Sequence, residues 1–123
     1  MEQRCHTILE AAAAMHDCTV NITKAGSAPV VMNSDTLATE VQELANELGI
    51  FKRVDFSYSG GGSEDCAYFT RRVIELGGQA TYMILGSDIK APHHNPLFDI
   101  DEKDMIHGVA LMGALAEKYL QSK

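Results

Sequence analysis

Apolar residues recur at helical spacing over residues 2–16, where Cys5, Ile8, Leu9, Ala12 and Met15 share a face and four consecutive alanines favour helix. Residues 18–24 switch to period two: Cys18, Val20 and Ile22 lie on one side, Thr19, Asn21 and Thr23 on the other, which predicts a half-buried strand. The stretch 25–29, Ala-Gly-Ser-Ala-Pro, breaks this pattern and is a candidate domain boundary. A second helix is expected over 35–48. Ser34 is placed to cap it, Leu37, Val41, Leu44 and Leu48 form its apolar stripe, Glu40, Glu43 and Glu47 occupy the opposite face, and Gly49 ends it.

Val54, Phe56 and Tyr58 alternate with polar residues, so a second strand should lead into Gly60-Gly61-Gly62 and a third helix capped by Ser63. After Gly77-Gly78, residues 80–85 are apolar on both parities, the pattern of a strand covered on two faces and central in a sheet. An irregular segment, 86–100, precedes a closing helix over 102–121. That helix should bury Met105, Ile106, Val109, Met112, Ala116 and Leu120, with Asp101 and Asp104 forming a variant capping box. Alternating helices and strands predict a mixed α/β fold with four helices.

Composition narrows the function classes. In 123 residues, 10 Lys and Arg stand against 17 Asp and Glu, a formal charge of −7, and no basic cluster offers a nucleic acid its counterions. With 46% hydrophobic residues the chain carries enough apolar surface for an ordered domain. Cys5, Cys18 and Cys66 are odd in number and far apart, which argues for reduced thiols in a cytoplasm rather than a disulfide framework. No apolar run approaches the ~20 residues of a membrane span, and no leader-like segment opens the chain, so neither export nor a membrane partner is expected.

Two segments could carry chemistry. In Gly60-Gly61-Gly62-Ser63-Glu64-Asp65 the glycines allow close backbone approach and a helix start could hold an anion, although Ser63 as a cap with Glu64 and Asp65 complementing the helix dipole explains the same residues. The second segment, 93–101, gathers His93, His94, Asn95, Asp99 and Asp101 on a loop after a strand, a setting in which imidazole and carboxylate suit zinc. Its simpler reading is a turn set by Pro92 and Pro96. His6, His16 and His107, the pairs Arg71-Arg72 and Lys52-Arg53, and the methionines are expected to be structural, the methionines as core packing.

Taken together, Gly62-Ser63-Glu64-Asp65 and the later His93-His94-Asn95-Pro96-Leu97-Phe98-Asp99-Ile100-Asp101 strongly resemble the carboxyl-terminal part of the M20 family of metallopeptidases and amidohydrolases. Arg72-Val73, Gly77-Gly78-Gln79-Ala80-Thr81 and Tyr82-Met83 are most similar to the p-aminobenzoyl-glutamate and hippurate hydrolase type. Asn33-Ser34-Asp35 resembles the family's Asn-Asp-Pro junction, departing at the proline, and Cys66 stands where an aromatic residue is usual.

The resemblance implies a fragment of a zinc-exopeptidase-like α/β catalytic domain, residues 27–123, preceded over 1–26 by the last helix and strand of an α+β lid or dimerisation domain. It implies hydrolysis of the amide bond of an N-acyl amino acid such as p-aminobenzoyl-glutamate, with two zinc-class ions activating water. It makes His94, the histidine before Asn95-Pro96, a metal ligand, and Gly61, Gly62, Ser63, Glu64 and Asp65 the substrate-binding loop. The family's other ligands and its general base have no counterparts here, so the chain is expected to be inactive alone and to partner a missing amino-terminal half or a second copy. The alternative is a standalone dimerisation or binding module descended from such an enzyme.

Overall fold

The computed structural model describes residues 1–57 and 63–121. Its elements are α1 (Glu2–Ala14), α2 (Asp35–Leu48), α3 (Ala67–Glu75), a 3-10 turn (Glu102–Asp104) and α4 (Met105–Gln121). Among the described residues there is no strand and no sheet; the β pairing found is an isolated antiparallel bridge between Val30 and Ser63. The expected α/β class is therefore overturned: the described architecture is helical, with irregular connections.

The reason lies in what a period-two pattern can specify. It marks a face to be buried, but a strand exists only when a neighbour completes its hydrogen-bond ladder. Residues 18–24 and 80–85 take up no regular structure, and neither lies against a second strand. Val20 is exposed, as are Met83, Ile84 and Leu85, so 80–85 is not the covered central strand that its composition predicts. The anticipated strand around Val54 and Phe56 is likewise absent, and Tyr58 and the run Gly60-Gly61-Gly62 lie outside the described residues.

The helices follow the sequence more closely. α2 has the expected bounds, and Gly49 ends it at φ 63°, a left-handed conformation that costs a glycine little. Val41 and Ala45 are buried, with Leu37, Leu44 and Leu48 half-buried beside them. α2 packs on α4, whose buried residue is Leu115. At the far end of this contact Tyr119 Oη donates to Glu40 at 2.6 Å, while Lys118 lies 3.5 Å from the same carboxylate. The Tyr119 bond and then the Lys118 charge hold the Glu40 carboxyl below its ordinary range.

α4 is turned relative to expectation. Met105, Ile106, Val109, Met112 and Leu120, placed in the core by their spacing, are exposed, and the inward side carries Gly108, Leu111, Ala114 and Leu115. Ala116 is exposed too, and so are the methionines, which correct their reading as core packing. The sequence stripe identifies the most apolar side of α4, but the side buried within the chain is the one centred on Leu115, with Gly108 against Leu85. α1 buries no residue; its stripe of Ile8, Leu9 and Met15 faces solvent, and an ion pair between Glu2 and Lys24 at 2.9 Å ties its start to the segment that follows.

Replacing Leu115 by Ala should lower the free energy of unfolding by about 2–4 kcal/mol, whereas Leu120→Ala should change it by less than about 0.5 kcal/mol, both measured by urea denaturation. Equal losses at the two positions would contradict the observed orientation of α4.

Candidate functional site

The residues singled out by sequence fall on three connected pieces: the start of α3, the extended segment 80–87, and the loop 91–100. Asn33 and Ser34 anchor the extended segment. Ser34 N–H donates to Ala80 O at 2.8 Å, Ala80 N–H donates to Ser34 Oγ at 3.1 Å, and Tyr82 N–H donates to Asn33 Oδ1 at 2.8 Å. Ser34 does precede α2, but its hydroxyl is committed to Ala80 and makes no cap bond to the helix. A short polar side chain can satisfy either partner, and here the tertiary one prevails.

Ser63 is also placed differently from expectation. It pairs with Val30, and α3 begins only at Ala67, after a tight turn in which Ala67 N–H reaches Glu64 O and Tyr68 N–H reaches Asp65 O, each at 3.1 Å. Ser63 therefore caps no helix. Gly61 and Gly62 lie outside the described residues, while Glu64 and Cys66 come beside Tyr82. Partial burial first, then the Glu64 carboxylate and Cys66, push the Tyr82 phenol above its ordinary value. The three cysteines are free thiols.

Beyond Tyr82 the segment reaches α4. Ser87 Oγ donates to Asp104 Oδ2 at 2.7 Å and accepts from Asp101 N–H at 3.0 Å. Asp101 accepts from Lys103 N–H at 3.0 Å, so it caps as predicted, while Asp104 serves Ser87 instead of closing a capping box. His107 Nδ1 lies 3.9 Å from Asp104 and its ring 6.0 Å from that of Phe51, a packing role. Arg71 pairs with Glu75, and Arg53 with Asp55, as the solvated-pair reading has it.

The histidine loop is closed by short-range bonds. Asn95 N–H donates to Pro92 O at 3.3 Å, Leu97 N–H to Asn95 Oδ1 at 2.9 Å, and Phe98 N–H to Asn95 O at 2.9 Å. Lys90 Nζ clips the base of the loop to Asp99 at 2.8 Å. The two histidines are then distinguished. His93 stacks on Phe98 with ring centroids 4.9 Å apart. His94 adopts φ 63°, a left-handed conformation that Asp17 shares at φ 52°, and presents an exposed imidazole that makes no hydrogen bond among the described residues.

No hydrogen bond or ion pair joins His94 to Ser63, Glu64 or Asp65, and among the described residues no three His, Cys, Asp or Glu side chains are grouped to hold a metal ion. His94 is a donor suited to zinc, but the donor set present does not complete a metal centre. No helix among the described residues is long and apolar enough to cross a membrane.

Sequence reasoning missed the long-range contacts of Asn33, Ser34, Ser87, Lys90 and Tyr119. All but Tyr119 are short polar or solvated-looking residues at element ends, where local and long-range partners look alike in one dimension.

Lys90 holds the Asp99 carboxyl below its usual range, by hydrogen bond and then by charge, with Ile100 N–H assisting, and Asp99 raises Lys90 in turn. Because the Asp99 value is depressed, the clip contributes stability above the ordinary aspartate range and is lost as pH falls through the depressed value. An NMR titration should place Asp99 below ordinary aspartates, and Lys90→Ala should move it back up; an unchanged titration would show that the two side chains do not pair in solution.

The model of peptidase family M20/M25/M40 matches residues 5–118. The chain is 39% identical over 92 residues to a p-aminobenzoyl-glutamate hydrolase homolog of Haemophilus influenzae, covering 74% of this chain and 22% of that protein. It is 30% identical over 115 residues to the indole-3-acetyl-aspartic acid hydrolase of Enterobacter agglomerans, covering 93% and 26%. Its identity to a p-aminobenzoyl-glutamate hydrolase polypeptide of Escherichia coli is 28% over 114 residues, covering 92% and 26%. The chain thus spans about a quarter of the length of these curated relatives. No solved structure matches it significantly. A family match over nearly the whole chain, joined by relatives of one enzymatic kind, establishes that the chain belongs to peptidase family M20/M25/M40.

Proposed function

We propose that this chain is the part of a metal-dependent amidohydrolase that supplies one metal ligand, His94, and the loop Gly61 to Asp65 that faces the substrate. The substrate class is an N-acyl amino acid, p-aminobenzoyl-glutamate first among them, because relatives that match most of the chain are named for hydrolysis of p-aminobenzoyl-glutamate and indole-3-acetyl-aspartate. Both names describe an acyl group joined through an amide to an acidic amino acid. The division at residues 26 and 27 into lid-derived and catalytic-domain segments belongs to the same reading, as does a cytoplasmic location, supported by three free thiols.

The observation that carries the proposal is the contrast within the histidine pair. His93 commits its ring to Phe98, whereas His94 is set in a left-handed backbone with its imidazole exposed and unengaged. A backbone conformation of that kind costs on the order of 1 kcal/mol, and such costs gather at sites that need a side chain aimed. When bound, the metal would polarise the scissile carbonyl and activate water. The residues described here contribute a ligand to it and do not hold it unaided.

Two measurements test this. Purified chain supplied with zinc should hydrolyse p-aminobenzoyl-glutamate no faster than its His94→Ala variant. Zinc titration should show weak binding that is lost in His94→Ala and retained in His93→Ala. Turnover that survives repurification and vanishes with His94 would overturn the expected inactivity; loss of zinc binding in His93→Ala alone would overturn the choice of ligand.

A further inference from the structure

The histidine loop places an aromatic surface around the candidate ligand. His93 and Phe98 stack with ring centroids 4.9 Å apart and planes 30° from parallel, within the range of offset stacking. The two rings belong to the residue before His94 and the residue four after it, so the stack brackets the exposed imidazole. Phe98 keeps 39% of its surface exposed in spite of the stack. The second ring contact among the described residues joins Phe51 to His107 and lies outside this loop.

The stack is braced from its own backbone. Phe98 N–H donates to Asn95 O and Leu97 N–H to Asn95 Oδ1, each at 2.9 Å, and the Lys90 to Asp99 pair closes the loop outside them. A surface fixed in this way loses little conformational freedom when a flat ligand settles on it. The substrates for which the relatives are named, p-aminobenzoyl-glutamate and indole-3-acetyl-aspartate, share such a group. In each the aromatic ring is attached to the scissile carbonyl directly or through a single methylene. Whatever holds that ring must therefore sit beside the group that engages the carbonyl, and in this loop the aromatic surface and His94 are neighbours.

We propose that Phe98, braced by His93, is a specificity-determining residue that receives the aromatic ring of the acyl group and favours a flat ring over a saturated one. The inference rests on the N-acyl amino acid substrate class proposed above and adds which half of the substrate this loop recognises. A saturated ring of similar size offers comparable apolar area but no π face, so the preference is the worth of one aromatic pair, about two- to tenfold in Kd.

The test is an NMR titration of the full chain with p-aminobenzoate and, separately, with cyclohexanecarboxylate. p-Aminobenzoate should shift the backbone amides of His93, His94, Leu97 and Phe98 and bind about two- to tenfold more tightly than the saturated acid. Phe98→Leu, which keeps apolar volume, should erase the preference, whereas Phe98→Tyr and His94→Ala should retain it; circular dichroism checks that helix content is unchanged in each. Absence of binding, shifts confined to other segments, equal affinity for the two acids, or a preference that survives Phe98→Leu would each overturn the proposal. Loss of the ring preference with zinc still held through His94 would leave the hydrolase reading standing, and ring binding at Phe98 with zinc held through His93 alone would count against the proposed ligand and not against the ring subsite.

Discussion

The contact between α2 and α4 is the constraint on which the remaining order depends. Among the described residues, Val41 and Ala45 on one helix and Leu115 on the other are three of the four buried apolar residues, the fourth being Ala67. The Tyr119 to Glu40 bond fastens one end of this pair. At that same end α2 begins at Asn33-Ser34, which grip residues 80 and 82, and the segment that follows carries Ser87 onto the start of α4. The helix pair and the segment between them form a closed circuit of contacts, and the histidine loop hangs from it through Lys90 and Asp99.

That circuit explains why the candidate site is only partly assembled. The segment 80–87 passes Glu64 and Cys66 at one end and leads to the histidine loop at the other, so both motifs are attached to one piece of chain. Attachment is not convergence, and no polar contact brings His94 to the start of α3. A catalytic centre needs several groups fixed within hydrogen-bond reach of one another, and side chains as exposed as these are not held to that tolerance by their own packing.

Helix positions were legible in the sequence because their signals are local: spacing, the glycine at 49, and the aspartate at 101 act within a turn or two of the residues they govern. The strands were not, because residues 80–85 encode a demand for cover on two faces without encoding what supplies it. The orientation of α4 failed for a related reason. Its larger apolar residues mark a surface that wants burial, while the contact made within this chain uses the side bearing Gly108, Ala114 and Leu115. At the candidate site, the histidine loop is marked locally by its paired histidines and flanking prolines, whereas the clip of Lys90 to Asp99 and the grip of Asn33 on Tyr82 depend on residues 9 and 49 positions apart.

The described chain is a packed helix pair, α2 and α4, joined to segments whose apolar residues are largely exposed. Amide hydrogen exchange on the purified chain tests this most directly. Protection should concentrate in the α2 and α4 backbones, with residues 83–85 and the first turns of α1 exchanging near the rate of unprotected amides. Strong, cooperative protection across residues 18–24 and 80–85 would mean that these segments are paired in solution, and would contradict the architecture described.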